Sequence, residues 1–208
     1  RMGKKKRTWF ESHVSDKYVQ MAQKDNYRSR AVYKLKEIDE KYNIFINGQY
    51  ICDLGSSPGS WSQYIIRKNP NSKIFAFDLL EMKPIKNVNF VQTDICGLLN
   101  SEQNTQHFPK FNLVISDIAP NITGIDASDI PAMLEIAENI SNIAENLLKP
   151  RGSLIMKLFQ GSGSDSFIKE LKKMYNKVSI IKPKASRPKS REIYLVALEY
   201  NLNQRKSL

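Results

Sequence analysis

Cysteine and histidine are scarce in this 208-residue chain, two of each. Cys52 and Cys96 cannot build a disulfide framework. Both sit beside apolar, strand-like residues and read as small buried hydrophobes in a reducing compartment. His13 and His107 have no cysteines or acids clustered around them at ligand spacing, so neither a zinc site nor a histidine-based triad is expected. No apolar run approaches the roughly 20 residues of a membrane span. None follows the basic start either, so a secretory leader is not expected. Two nucleotide signatures are also missing: the Gly-x-Gly-x-x-Gly turn of dinucleotide binders and the Gly-Lys-Ser/Thr of phosphate loops.

What the chain has is positive charge. Thirty-two Lys and Arg against 21 Asp and Glu leave a formal net charge of +11, which points to a polyanionic partner, nucleic acid first. The cations cluster. One block is Lys4-Lys-Lys-Arg7, followed by Trp9 and Phe10; a second is Arg28, Arg30, Lys34 and Lys36; a third is Lys182, Lys184, Arg187, Lys189 and Arg191. All three are expected to grip RNA phosphates through counterion release. Trp9 and Phe10 read either as a stacking platform for bases or as an anchor to the domain. Residues 1–16 form a basic arm, open between an RNA contact and the remnant of an organellar targeting segment, and 17–208 read as one domain.

Along that domain strands and helices alternate. Asn26 to Tyr42 reads as an amphipathic helix with Ala31, Leu35 and Ile38 on one face. Short apolar strands follow at Tyr50–Leu54, Lys73–Phe77, Val88–Val91 and Asn112–Ser116, with a helix at Trp61–Lys68 after the first. Ser128 or Asp129 is expected to cap the next helix, with Pro131 in its first turn and Ile136, Ile140, Ile143 and Leu147 inward. Pro150-Arg-Gly breaks it. A fifth strand occupies the stretch Gly152 to Gly161, a helix spans Ser164–Tyr175, and two strands close the chain at Val178–Ile181 and Glu192–Leu198. No helix separates that last pair, so they are antiparallel neighbours. The order predicts an open α/β sandwich.

Ligands of such sheets bind outside the carboxyl ends of the strands. The turn Asp53-Leu-Gly-Ser-Ser-Pro-Gly-Ser-Trp lies there, its glycines letting backbone approach a ligand. Asp78 ends the second strand, where an acid meets ribose hydroxyls, and Asp94 follows the third, placed to accept from an exocyclic amine. Together they suit an adenosine-type ligand without a phosphate cradle, S-adenosylmethionine before NAD or ATP. Asp117 ends strand four, Lys157 lies late in strand five, and Glu192 opens strand seven. A lysine in so apolar a strand either snorkels to water or is paired. If strand seven inserts beside strand five, the three charges fall on neighbouring strands about 4.8 Å apart and the ammonium is flanked by carboxylates.

With these residues in place, the chain resembles the FtsJ/RrmJ family of ribose 2′-O-methyltransferases from about Tyr18 to Tyr200. The resemblance is carried by Tyr27-Arg-Ser-Arg-Ala-Val-Tyr-Lys-Leu, the Asp53 turn, Ser116-Asp-Ile-Ala-Pro-Asn, Met156-Lys-Leu-Phe-Gln-Gly and Ser186-Arg-Pro-Lys-Ser-Arg-Glu-Ile-Tyr. It implies a Rossmann-like seven-stranded mixed sheet in the order 3-2-1-4-5-7-6, with strand seven antiparallel. It also implies a catalytic tetrad of Lys34, Asp117, Lys157 and Glu192. Contacts to S-adenosylmethionine would come from Gly55, Gly59, Ser60, Trp61, Asp78, Asp94 and Asp117, and no metal is expected. In the reaction implied, a ribose 2′-oxygen attacks the sulfonium methyl in line and S-adenosylhomocysteine leaves. Lys157 would serve as general base once cofactor is bound, or as the donor that orients the hydroxyl. Ser56, Ser57 and Ser60 stand where the family often has Ala, Ala and Gly, a change of little volume.

The Arg-Pro-Lys-Ser-Arg-Glu ending is similar to the large-subunit ribosomal RNA members, so a uridine in that RNA is the expected target. The partner is then ribosomal RNA or the large subunit, with no membrane and a monomeric enzyme. A tRNA anticodon-loop or mRNA-cap methyltransferase is the nearest alternative. An RNA-binding assembly module without activity is the rival of another class, but such a module would be expected to lose polar tetrad residues, and all four are present. The compartment implied is intracellular: the cytoplasm for a bacterial-type protein, the mitochondrial or another organellar matrix for a eukaryotic one.

Overall fold

Strand assignment follows from side-chain alternation. In the fifth strand Leu154 and Met156 pack into one apolar cluster and Ile155 into another, as a period of two requires of a strand covered on both faces. The computed structural model describes residues 16–95, 97 and 105–201; the Lys4–Arg7 block, Trp9, Phe10, His13 and Cys96 lie outside them. The strands are β1 (Tyr50–Leu54), β2 (Lys73–Asp78), β3 (Val88–Gln92), β4 (Phe111–Ser116), β5 (Leu148–Phe159), β6 (Tyr175–Ile181) and β7 (Glu192–Tyr200). They form one sheet in the order β3-β2-β1-β4-β5-β7-β6. β7 runs antiparallel to both β5 and β6, and the remaining pairs are parallel. Order and direction match the expectation.

The helices named here are α1 (Lys17–Lys24), α2 (Val32–Tyr42), α3 (Ser60–Lys68), α4 (Asp126–Leu147) and α5 (Ser164–Met174). One face of the sheet is covered by α4 and α5 through Ala137, Ile140, Ile143, Phe167, Ile168 and Leu171. The other is covered by α2 and α3 through Leu35, Ile38, Trp61 and Ile65.

β6 begins at Tyr175, which the sequence reading gave to the preceding helix, and β7 runs on to Tyr200; three other boundaries depart for a visible reason. The helix expected over Asn26–Tyr42 begins only at Val32, because Asn26 takes a left-handed conformation at φ 55 and ends the separate helix α1. α4 starts at Asp126, before Ser128 and Asp129. The carbonyl of Ile125 already accepts from both of their amides, and Pro131 therefore sits inside the helix and withholds one internal hydrogen bond. β5 begins at Leu148, ahead of Pro150-Arg-Gly; its register against β4 jumps between Phe111 and Leu113, so the breaker residues bulge out of a strand already begun.

Candidate active site

Lys157 sits late in β5 with its side chain 7% exposed, so it does not snorkel. Its Nζ lies 2.8 Å from Asp117 Oδ1 and 3.4 Å from Glu192 Oε2, and donates to the Asp117 backbone carbonyl at 2.9 Å. Strand order produces this meeting. Asp117 follows β4 on one side of β5, and Glu192 opens β7 on the other, paired with Phe159 across the ladder. Lys34, from α2, closes the group with its Nζ 2.7 Å from Glu192 Oε1. The structure thus brings together all four members of the expected tetrad.

At Lys157 and at Glu192 burial is overruled by opposite charge. It pulls the Lys157 pKa down, but Asp117 and Glu192 outweigh it and hold the amine above its ordinary value. Burial likewise pushes Glu192 up, while Lys157 and Lys34, with a hydrogen bond from Ser186 Oγ at 2.9 Å, bring it down to about 2. Lys157 is therefore an ammonium and Glu192 a carboxylate at neutral pH.

Two partners escaped the sequence reading. Tyr194, wholly buried, donates its hydroxyl to Asp117 Oδ1. Its ring packs 5.9 Å from Trp61 and lies beneath Lys34. The signal was its spacing: Tyr194 is two residues from Glu192 and so shares its face of β7. Asp53, inside the turn already singled out, is 1% exposed and accepts from Ser62 Oγ at 2.6 Å. Burial, with the charges of Asp117 and Asp78, drives its pKa up to about 7 despite that bond.

Beside the tetrad opens a cleft of about 530 Å³, walled by Gly55, Asp78, Leu79, Leu80, Asp94, Ile95, the segment Ile118–Asn121 and one side of α4. Gly55 sits at φ 75, and a Cβ there would meet Ile118 Cγ1 at 2.2 Å, so only glycine fits. Asp78 accepts from the amides of Ser57 and Leu80, each at 2.8 Å. A second, narrow gap of about 30 Å³ is lined by Asp53, Gly55, Ser60, Trp61 and Asp117. Of the expected cofactor residues, Gly55 lines both spaces, Asp78 and Asp94 the cleft, and Ser60, Trp61 and Asp117 the gap. Gly59 lines neither. A Cβ there would strike Met82 Sδ and Ile85 Cδ1, both at 2.9 Å, so its glycine serves the packing of the turn.

The second basic cluster is not free for phosphate. Arg28 donates to the carbonyls of Pro58, Lys83 and Pro84. Arg30 pairs with Asp16 and donates to the Ala185 carbonyl. Lys34 is held by Glu192, and Lys36 lies over the rings of Tyr27, Tyr33 and Tyr64. Four cations that read as an RNA grip in sequence are tied up internally. In the third cluster Lys182 donates to the carbonyls of Ser190 and Glu192 and Arg191 pairs with Asp126, while Lys184, Arg187 and Lys189 stand exposed.

Among the described residues there is no group of three or more His, Cys, Asp or Glu able to hold a metal, and no helix is long and apolar enough to cross a membrane.

A family model described as FtsJ-like methyltransferase matches residues 27–200. Curated relatives named ribosomal RNA large subunit methyltransferase E include one from Hydrogenovibrio crunogenus, 43% identical over 192 residues and covering 91% of this chain and 93% of that protein. Another, from Legionella pneumophila, is 42% identical over 202 residues, with 96% and 98% covered. A crystal structure from Plasmodium falciparum, described as a ribosomal RNA methyltransferase, superposes with a TM-score of 0.74 at 34% identity over 84% of this chain and 98% of that one. Human methyltransferase-like protein 13, solved with SAH, shares the fold at TM-score 0.62 and 13% identity over 84% of this chain and 88% of that one.

Proposed function

This chain belongs to the FtsJ-like methyltransferase family, and from that membership we propose that it methylates a ribose 2′-oxygen of large-subunit ribosomal RNA, at a uridine, using S-adenosylmethionine. The observation that carries the reading is one buried ammonium held between Asp117 and Glu192 beside a nucleoside-sized cleft. The ribosomal substrate is supported by what the relatives are named for. The hydroxyl target is supported by the donor set, since Lys157, Asp117 and Glu192 are groups that bind and orient an O–H. Carbon methylation through a cysteine nucleophile finds no support at Cys52, which is wholly buried with its thiol pushed up.

The cofactor suits the residues present. The cleft falls within the size range of small-molecule sites. Ile95, Ile118 and Ile140 offer apolar walls to a base, and the Asp78 and Asp94 carboxylates accept from hydroxyl and amine groups. When bound, S-adenosylmethionine supplies the activated methyl group.

Lys157 acts as a donor. Two of its three N–H groups point at Asp117 at 2.8 and 2.9 Å, while the contact to Glu192 is long at 3.4 Å. A ribose oxygen takes that third donor readily, because Glu192 keeps Lys34 and Ser186 as partners. The hydroxyl is then fixed with a lone pair free and its own proton directed at the Glu192 carboxylate, which would take that proton as the oxygen gains the methyl group. Orientation supplies much of the rate. Of the two roles expected for Lys157, base or orienting donor, its raised pKa supports the donor, because the carboxylates outweigh burial.

The test is methylation of whole ribosomal subunits, naked ribosomal RNA and tRNA with radiolabelled cofactor, followed by mapping of the modified ribose. Label on one 2′-oxygen of large-subunit RNA is expected. Label confined to tRNA would overturn the substrate, and label on a base the reaction class. With a permanent ammonium, the single-turnover rate stays flat from about pH 7.5 to 9; a rate rising tenfold per unit would return Lys157 to the role of base.

A further inference from the structure

A third cavity, of about 330 Å³, lies beside the end of β5 and the Lys189–Arg191 segment that leads into β7. The segment after β4 divides it from the cofactor cleft: Ile118 to Asn121 face the cleft, while Ile122 and Gly124 line the cavity. α4 borders both, with Ile130 here and Ile136 to Ile143 there. Phe159 joins Ile122 and Ile130 as an apolar wall, and Lys189, Ser190 and Arg191 make the opposite one. Ile122, 66% exposed, stands at the rim of the space. Asp129, which also borders the space, is consumed by Thr123 and Gly124, and Asp126 is neutralised by Arg191. The charge left at the mouth is the Lys189 ammonium, which has no ion pair among the described residues.

Position gives this cavity its meaning. Phe159 stands two residues beyond Lys157 in β5, about 7 Å along the strand, and is the ladder partner of Glu192. A nucleoside whose ribose meets Lys157 therefore has Phe159 within reach of its base. We propose that this cavity holds the base of the very nucleotide that is methylated, packed against Phe159 and Ile130, with Lys189 at a flanking phosphate. The inference rests on the ribose reading above and extends it from the hydroxyl to the base. Apolar faces take any base by contact, and cations at the rim attract the backbone beside it.

The experiment pairs two RNAs with three proteins. One substrate carries the mapped target intact; the other is abasic at that nucleotide but keeps its 2′-hydroxyl. Single-turnover kcat/KM is measured for the wild-type chain and for Phe159→Ala, with Phe159→Leu as a milder second variant and thermal melting to verify folding. The wild type should prefer intact over abasic RNA by about tenfold or more, and Phe159→Ala should erase most of that preference. Phe159→Leu should keep an intermediate share. A preference unchanged in both variants, or no preference in the wild type, would overturn the cavity while leaving the ribose reading standing. Wild-type label on no 2′-oxygen at all would overturn both. Cofactor affinity separates the sites further: it should be the same in all three proteins, because Phe159 lies outside the cleft, and a loss in Phe159→Ala would count against a dedicated base site.

Discussion

Lys157 keeps its proton because two carboxylates offset the hydration it loses, and each carboxylate is in turn held by another group: Asp117 by Tyr194, Glu192 by Lys34 and Ser186. Lys157→Met preserves the aliphatic stem and removes the donor. Turnover should fall below about a tenth of wild type in single-turnover assays, while cofactor affinity measured by calorimetry stays close to normal. Asp53 carries the opposite balance, a carboxyl whose folded pKa near 7 lies above its ordinary 3.8. Between those values the folded chain binds a proton that the unfolded chain has released, so this group makes stability decline as pH rises toward 7. Asp53→Asn removes that slope. In urea unfolding at about pH 5 and about pH 8, the wild type should lose roughly 2–3 kcal/mol more than the variant between the two. Lys157 was legible in sequence because a charge interrupts an apolar strand. The Tyr194 hydroxyl was not, because a tyrosine in a core strand looks like packing until its partner across the sheet is known.

The succession of β1 to β4 could be read directly, since each is short and ends at or within two residues of a glycine or an acid, and the missing crossover before β7 set its direction. The amino-terminal helices were harder. Asn26 divides them by adopting a conformation that its side chain permits but does not announce. The second of them, α2, also holds the loop carrying the third basic cluster. Glu37, one turn after Lys34, accepts from the Lys184 amide at 2.7 Å and the Ala185 amide at 2.8 Å, and Arg30 holds the Ala185 carbonyl. One helix thus positions both a tetrad lysine and the loop 182–191. Glu37→Gln would set an NH₂ against one of those amides, leaving a donor unmet. KM for RNA should rise by about tenfold with kcat and cofactor affinity little changed. Equal losses in all three would mean that α2 itself had been disturbed.

Over the whole molecule, the net charge of +11 overstates the cationic surface open to the proposed RNA substrate. Charge summed along a sequence does not distinguish a cation facing solvent from one spent on carbonyls, carboxylates or tyrosine rings, and the second cluster is of the latter kind. The exposed cations Lys184, Arg187 and Lys189 gather on one loop at the rim of the tetrad, where a phosphate backbone would pass if a ribose sits at Lys157. Each phosphate contact releases counterions, so affinity falls with salt in proportion to the number of contacts. Removing one contact flattens the slope of log affinity against log salt by about 0.7–1. Arg187→Gln should do so in RNA binding measured from low to physiological salt. Arg28→Gln removes the same formal charge but breaks the ties between Pro58 and the Lys83–Pro84 segment. Its salt slope should stay that of the wild type, and its loss should appear as weaker cofactor binding through a loosened Asp53 turn. Equal flattening by both substitutions would mean that net charge, and not the placement of cations at the rim, governs how this chain meets RNA.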